Sequence, residues 1–566
     1  MQNEIKTKWA TIQELKRTCP VVAAVIKTII LFNFFLLTQN GYSQMGEWTW
    51  MNGDSIPNSM GHFGTQGVFD PLNSPPALYE ATQWTDFQGN FWLFGGLNDT
   101  IHYADLWEFN PIINQWAWIK GNGLNNQLAI YGVKGNPSPT NSPGSIGYGV
   151  ESWVDTSGNL WLFGGGGNIS NSYGMSSTLW KYTIQTNEWT WMAGPDTLND
   201  HGTFGTIMVP NSMNNPPARS ESTTSWIDSN NCLWLFGGFN NQGYLSDLWK
   251  FNISTNQWTW VNGSNISDQP TIYGTMGVSN PTNMPGARWS YTHWKDGDGN
   301  FCMFGGYGYI NSNGFLNDIW KYNPVINEWT WIGGTNIGND TGSLGNYCDT
   351  SINSMPRATC ENTACWSRDC NNIIFFGGQG SHGYNNDLWN YDANSNIWTW
   401  INGSIYFNQI GNFGNILISS PSNIPSSRCG SVSWTDNSGN LWLFGGISKA
   451  YTNFQICNNN LWRFVPDTSC PHIYCIGVGI NESKTNKVEI DIYPNPNEGI
   501  FKVSYKLSSL KIDLQIVDIL GRIIYTYSIM GDIGVETIDV SKLSKGFYFI
   551  QIVNEKETLI KKLIIR

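Results

Sequence analysis

The chain has 566 residues, of which 30 are Trp and only 13% are charged, with a net charge of −12. That balance excludes a nucleic-acid binder, which needs Lys and Arg to displace phosphate counterions. A 14% aromatic content also excludes disordered, collagen-like and coiled-coil chains. Length alone suggests three or four domains.

At the N-terminus Lys6, Lys8, Lys16, Arg17 and Lys27 precede an apolar stretch at 28–37, which is followed by small and polar residues. This is the order of a secretory signal, with Gly41 and Ser43 suiting the positions before a cleavage at Gln44. A membrane anchor fits less well, because the apolar run is short and broken by Lys27 and Asn33. Residues 1–43 are therefore read as a signal peptide, and no permanent transmembrane segment is expected.

Residues 44–466 form one repeated unit. FGG begins at Phe94, Phe163, Phe236, Phe304, Phe376 and Phe444, spaced by 68–73 residues. Ten residues before each stands Trp84, Trp153, Trp226, Trp294, Trp366 or Trp434. After each FGG comes Trp107, Trp180, Trp249, Trp320, Trp389 or Trp462, and nine residues beyond the first five of these begins a W-x-W pair. Short runs at fixed offsets, separated by turns such as 436–440 and 323–327, predict four antiparallel strands per repeat, stacked as propeller blades. The sixth repeat lacks its fourth strand, whereas the chain opens on an orphan Trp48-Thr49-Trp50. The N-terminal strand is expected to complete the sixth blade and remove the open edges. The repeats resemble the Kelch family, in which a hydrophobic strand ends in Gly-Gly ahead of a spaced aromatic and a Trp. That resemblance implies an all-β, six-bladed, galactose-oxidase-like propeller, but no single function.

Of the 29 Trp in 44–487, 28 recur in the repeat register and are expected to pack between sheets; Trp289 is the exception. Strands alternate in direction, so the 2–3 and 4–1 connections share one face. They are the longer set, and long loops on a rigid scaffold are where function concentrates. Loops 273–288 and 413–428 echo each other, which assigns much of each loop to structure. Arg219, Arg288, Arg357 and Arg428 stand near the starts of first strands, with Leu78 and Ser145 at corresponding places in the first two repeats. These Arg either ring the channel mouth and hold a carboxylate or sulfate, or tie their loops to a neighbouring blade through backbone carbonyls, and the second reading is favoured because the positions repeat. Trp289 either stacks on a sugar or partner from an exposed position or, the favoured reading, packs locally.

The six His have no zinc spacing, and no Tyr, Cys and paired His of the galactose-oxidase copper type are identifiable. No catalytic residue, metal or cofactor is expected. The turn at 295–300 has calcium-like oxygens, but it recurs at 155–159 and 86–90, which favours a plain hairpin. Among the cysteines, the pairs Cys365–Cys370 and Cys470–Cys475 are close enough for disulfides, while Cys232 and Cys302 are expected to be buried and free. Asp54-Ser55-Ile56, Asp99-Thr100-Ile101 and Asp196-Thr197-Leu198 resemble O-glycosylation sequons of Bacteroidetes-like secreted proteins.

After a linker at 467–487, residues 488–566 contain no Trp and alternate apolar and polar positions, as a small Ig-like β-sandwich would. Tyr493-Pro494-Asn495-Pro496, the turn at 499–501, Gly521-Arg522 and the terminal Lys561-Lys562 occur in the order found in the type A sorting domain of the type IX secretion system, which this segment resembles. The resemblance implies partnership with that machinery, passage across an outer membrane, and release or attachment at the cell surface. The reading from sequence is thus a secreted or surface propeller that binds an extracellular glycan or surface protein through its long-loop face. The alternatives are a glycan-active hydrolase, lyase or oxidase at the channel mouth, favoured by co-clustered carboxylates or His with Tyr, and a passive surface scaffold.

Overall fold

The computed structural model describes residues 46–466, except 99–100, 168–171, 223–224, 311, 348–353, 362–363, 370 and 450–454. Further on it describes 489–565, except 494–498, 507–510, 518–521, 531–532 and 554–557. The expected signal peptide, Cys370, Cys470, Cys475 and the Asp99-Thr100 pair lie outside these residues. The chain divides into two compact units, Met1–Gly477 and Val478–Arg566. The described residues contain no helix long and apolar enough to cross a membrane.

In the first unit every repeat folds into a four-stranded antiparallel sheet. Thr82–Thr85, Phe91–Phe94, Leu106–Asn110 and Gln115–Lys120 form the first, in sequence order. The next four repeats do the same, and in the fourth Arg288–Trp289 pairs additionally with the extended second strand Phe301–Tyr309. The sixth sheet takes three strands from its own repeat, Val432–Thr435, Leu441–Phe444 and Leu461–Pro466, and its fourth from the N-terminal Gly46–Asn52. The expected strand exchange is therefore present: Trp48 faces Phe464 and Trp50 faces Trp462.

Short turns hold each sheet together. In the first hairpin Asp86 accepts the N–H groups of Gln88 and Asn90, and its second oxygen accepts the indole N–H of Trp92 at 2.9 Å. Asp155, Asp228 and Asp436 hold Trp161, Trp234 and Trp442 in the same way. Asp296, in the calcium-like turn, accepts N–H groups from Asp298 and Asn300, the pattern of a plain hairpin.

Two devices join successive sheets. The first is aromatic packing. Trp84, Phe94, Leu162 and Trp180 share a core between the first and second sheets, and comparable cores follow pairwise to the fifth and sixth. Phe91, Trp116, Trp434 and Phe444 then fill one between the sixth and the first. The second is a hydrogen bond made by the second glycine of each FGG. The N–H groups of Gly96, Gly165, Gly238, Gly306 and Gly378 donate to the carbonyls of Ile146, Arg219, Arg288, Thr359 and Arg428 in the following sheet, and Gly446 donates to Leu78 in the first. These glycines have φ between 83° and 93°, a region that β-carbon sterics close to other residues, which accounts for the recurrence of the pair. The arrangement is consistent with a β-propeller.

The 4–1 connections run beside the fourth strands. Asp70, Ser138, Asn211, Asn280 and Ser420 bridge to Trp116, Trp189, Trp258, Trp329 and Trp48, covering the outer edge of each of those sheets. Much of each long loop is thus an edge cover.

The second unit contains a three-stranded and a four-stranded antiparallel sheet, whose apolar residues, among them Phe501, Val503, Leu514 and Leu563, form one buried cluster.

Trp48 is fully buried against Phe376, Trp462 and Phe464. Trp48→Ala should therefore cost roughly 3–5 kcal/mol in urea unfolding. Deletion of residues 46–52 should expose the edge of Leu461–Pro466 and produce aggregation in light scattering. A monomeric, equally stable deletion variant would contradict the closure.

Candidate functional site

The arginines expected at the channel mouth are placed differently. Arg219 and Arg288 are wholly buried, in bidentate pairs with Asp247 and Asp318, the residues two before the third-strand Trp of their own sheets. Each guanidinium also donates to the first Gly-Gly carbonyl of its sheet, Gly237 or Gly305. Arg428 repeats the geometry on Gly445 and Asn460. Such charges leave water only when paired and hydrogen-bonded, so these three guanidiniums are committed inside the sheets and form no open cationic ring. Their links run within one sheet rather than to a neighbour.

Arg357 belongs to another register. In the fifth sheet the residue that accepts from the preceding Gly-Gly is Thr359, and Arg357 lies two residues earlier. It donates to the Ile405 carbonyl and lies over the Phe407 ring, 4.5 Å from its centre. In the second sheet the equivalent residue is Ile146, one beyond Ser145. Trp289 is half-buried rather than freely exposed, with the rings of Phe239, Tyr244 and Tyr307 at 5.4–6.3 Å.

Two residues past each glycine-bonded position the backbone turns left-handed. Glu80, Tyr148, Glu221, Ser290, Glu361 and Gly430 have φ of 49–63°. Five of the six are not glycine, and such strain concentrates at functional sites. They are linked across sheets: Glu80 N–H to Gly430 O, Gly430 N–H to Glu361 O, Ser290 N–H to Glu221 O, and Glu221 N–H to Tyr148 O, at 2.8–3.0 Å. Six separate sheets thus bring these residues together, on the side of the 2–3 and 4–1 connections.

Their side chains make an acidic, tyrosine-lined cluster. Glu80 and Glu221 are buried and close enough to repel each other; Ser290 Oγ donates to Glu221, and Cys429 Sγ to Glu361 at 3.2 Å. Burial, then repulsion from Glu221 and Glu361, pushes the Glu80 carboxyl well above its usual range. Burial and then Glu361 push Glu221 up to about 7, and burial raises Glu361 against the opposing Cys429 hydrogen bond and Lys449 charge. Tyr79 and Tyr148 pack edge to face beside the acids, ring centres 6.3 Å apart, and the His102 ring packs on Tyr148 and Tyr173. Burial lowers the His102 pKa.

Sequence reasoning missed the three glutamates. The signal was present: each left-handed residue is the fifth after a recurrent proline, namely Pro75, Pro143, Pro216, Pro285, Pro356 or Pro425. Counting back from FGG hides the alignment, because the second, third and fifth repeats carry an extra residue before their first strands.

Cys232 and Cys302 are buried and free, and burial raises both thiols. Ser55 and Thr197, in two of the sequon-like triplets, are exposed. Of the sorting-motif residues, Tyr493 ends a strand paired with Ile500–Lys506, Arg522 is exposed, and Lys561 and Lys562 lie in the last strand, Thr558–Ile565. Pro494, Asn495, Pro496 and Gly521 fall outside the described residues.

Four-stranded sheets repeated with these glycine and tryptophan spacings are consistent with a propeller built of Kelch-type repeats. Two models of the Kelch motif match residues 229–261 and 295–335, and the secretion system C-terminal sorting domain matches residues 491–566. The chain thus carries both Kelch-type repeats and a type IX secretion sorting domain, and the latter assigns it to secretion or the cell surface by that pathway. Kelch domain-containing protein 10 of Bos taurus and that of Homo sapiens are each 24% identical over 248 residues, 43% of this chain and 44% of the relative. The chain therefore matches less than half the length of those relatives.

Asp247→Ala strands the buried Arg219 charge and should cost roughly 3–5 kcal/mol in chemical denaturation; a loss below about 1 kcal/mol would show that the pair is dispensable. The raised carboxyls bind protons more tightly folded than unfolded, so their stabilisation is complete below about 4.5 and is lost as pH rises through the folded value, about 7 for Glu221. The thermal midpoint should be higher at pH 5 than at pH 8, and Glu221→Gln should flatten that slope.

Proposed function

We propose that the protein is a secreted or surface-held six-bladed propeller, closed by its N-terminal strand and followed by an Ig-like sorting sandwich. We further propose that it binds carbohydrate or protein through the face of its 2–3 and 4–1 connections. Six sheets, six inter-sheet cores and the Gly446–Leu78 bond support the architecture. The convergence of Glu80, Tyr148, Glu221, Ser290 and Glu361 carries the functional reading. Left-handed backbone and buried carboxyls both cost stability, and neither is needed to pack sheets. Tyr173 is 55% exposed, and half-buried Trp289, Tyr244 and Tyr307 add amphipathic rings suited to sugar faces.

A second reading, a glycan-active enzyme, draws support from the same cluster. A carboxyl that keeps its proton to about 7 beside two others is suited to donating a proton to a leaving oxygen.

A glycan array with the mature protein tests the binding reading: a retained glycan is expected, with affinity lowered about tenfold by Glu221→Gln. Accumulation of cleaved product over hours, abolished by the same substitution, would select the enzyme instead. Export is tested separately: removal of residues 488–566 should trap the chain in the periplasm, and normal secretion of that variant would contradict the sorting role.

A further inference from the structure

The fourth sheet differs from the others on the side of the 2–3 connections. Its second and third strands run on through the connection as one long hairpin, Phe301–Tyr309 against Asn313–Asn323, and Arg288–Trp289 joins that hairpin as a further strand. In the other five sheets the same stretch forms only two-residue strands. The register sets Trp289 opposite Tyr307 and Tyr307 opposite Phe315, so three aromatic side chains form a row on one face. Phe239 and Tyr244 are paired likewise in the third sheet. The two groups meet at a seam: ring centres lie 5.6 Å apart for Phe239 and Trp289, 6.3 Å for Tyr244 and Trp289, and 6.1 Å for Tyr244 and Tyr307. All five residues are half-buried, held on strands rather than on irregular loop.

The repeat does not need these rings for packing. At the position of Trp289, one past the glycine-bonded residue, the other sheets carry Tyr79, Gly147, Ser220, Cys360 and Cys429. At the position of Tyr307 the first, second, fifth and sixth sheets carry Leu97, Gly166, Gln379 and Ile447. Aromatic residues stand on both strands of the connection only in the third and fourth sheets, on either side of one seam. Trp289 also precedes the left-handed Ser290, whose Oγ donates to Glu221, so the indole is anchored beside the strained positions. Arg288, its other neighbour, is consumed by Asp318 and the Gly305 carbonyl and is closed to a ligand's carboxylate or sulfate.

We propose that the seam between the third and fourth sheets is a carbohydrate subsite, in which a neutral pyranose stacks on Trp289 between Tyr244 and Tyr307. A pyranose presents a flat patch of C–H groups to an aromatic face and hydroxyls around its edge to the polar tips of Trp and Tyr. The rings of Phe239, Tyr244 and Tyr307 are inclined at 45–60° to the indole, so they wall it instead of extending it into a flat apolar patch. Such a shape takes one sugar ring better than a protein surface. Charge selects among glycans: the chain is net −12 and its adjacent guanidinium is occupied, which disfavours uronates and sulfates. This inference rests on the carbohydrate side of the binding reading above and specifies where the sugar sits and what charge it carries.

An array carrying neutral oligosaccharides of the cello-, manno- and N-acetylchito-series, beside galacturonate- and sulfate-bearing ones, tests it with the full chain. Neutral glycans should be retained in preference to the acidic ones. Trp289→Ala should weaken that retention at least about tenfold. Its thermal midpoint should be kept, because Gly147 and Ser220 stand at the matched place in the second and third sheets. Tyr307→Leu, which keeps an apolar side chain and removes the ring, should weaken retention in the same direction and serves where Trp289→Ala unfolds. Tyr406→Ala, which removes an exposed ring from a 4–1 connection, should leave retention unchanged. Retention untouched by both Trp289→Ala and Tyr307→Leu, or lowered as far by Tyr406→Ala, would overturn the subsite and leave the broader reading intact. Preferential retention of the acidic glycans would overturn the neutral assignment. Retention of no glycan at all would remove the carbohydrate reading itself.

Discussion

The hydrogen bond from the second glycine of each FGG to the carbonyl of the next sheet is the joint on which the first unit depends. It is made six times, the last from Gly446 back to Leu78. A sheet apolar on both faces cannot stand alone in water and must be covered by another. Aromatic side chains provide that cover, but apolar packing is weakly directional, and the glycine bond fixes where one sheet begins against the next. A β-carbon on Gly306 would lie 2.8 Å from the Trp289 carbonyl and 2.9 Å from the Tyr291 β-carbon. The recurrent glycine is thus a requirement of space as well as of dihedral angle.

That joint also explains what is built around it. The residue whose carbonyl it uses is Arg in three sheets, and two of those arginines turn inward onto an aspartate while the third meets Asn460. Two residues further on the chain bends left-handed. The ion pairs and the acidic cluster are therefore neighbours along the backbone with opposite fates: one set of charges is neutralised internally, and the other is left as buried carboxyls that repel one another. The raised Glu221 and Glu80 carboxyls are the electrostatic cost of drawing like charges from alternate sheets to one place.

The parts most legible in the sequence were those repeated with large side chains. Trp at fixed distances from FGG located the four main strands of each repeat, and the orphan Trp48-Thr49-Trp50 predicted the exchange of the sixth sheet's outer strand, because each of these residues fills the same space in each repeat. The candidate site was illegible for the opposite reason. Its position is occupied by Glu, Tyr, Glu, Ser, Glu and Gly, so no one residue type marks it in every repeat, and what is shared is a backbone angle. Arg357 misled for a related reason: it resembles Arg219 and Arg288 in the sequence, yet Thr359 holds their place, since hydrogen-bond register follows the backbone and tolerates exchange of the side chain. Sorting motifs were legible as ordered short strings, independent of tertiary packing.

The exchanged strand carries a kinetic consequence. Residues Gly46–Asn52 leave the ribosome first among the first unit's strands, and their partner Leu461–Pro466 leaves last of that unit. At roughly 5–20 residues per second, the intervening chain takes about 20–80 s to make. Throughout that interval the first strand carries unpaired backbone groups and two apolar indoles, a template for any passing strand. The loop entropy of the eventual closure grows only with the logarithm of its length, so waiting, rather than searching, is the hazard. A holdase that shields the N-terminal segment until the sixth repeat arrives is what such a topology demands of the cell.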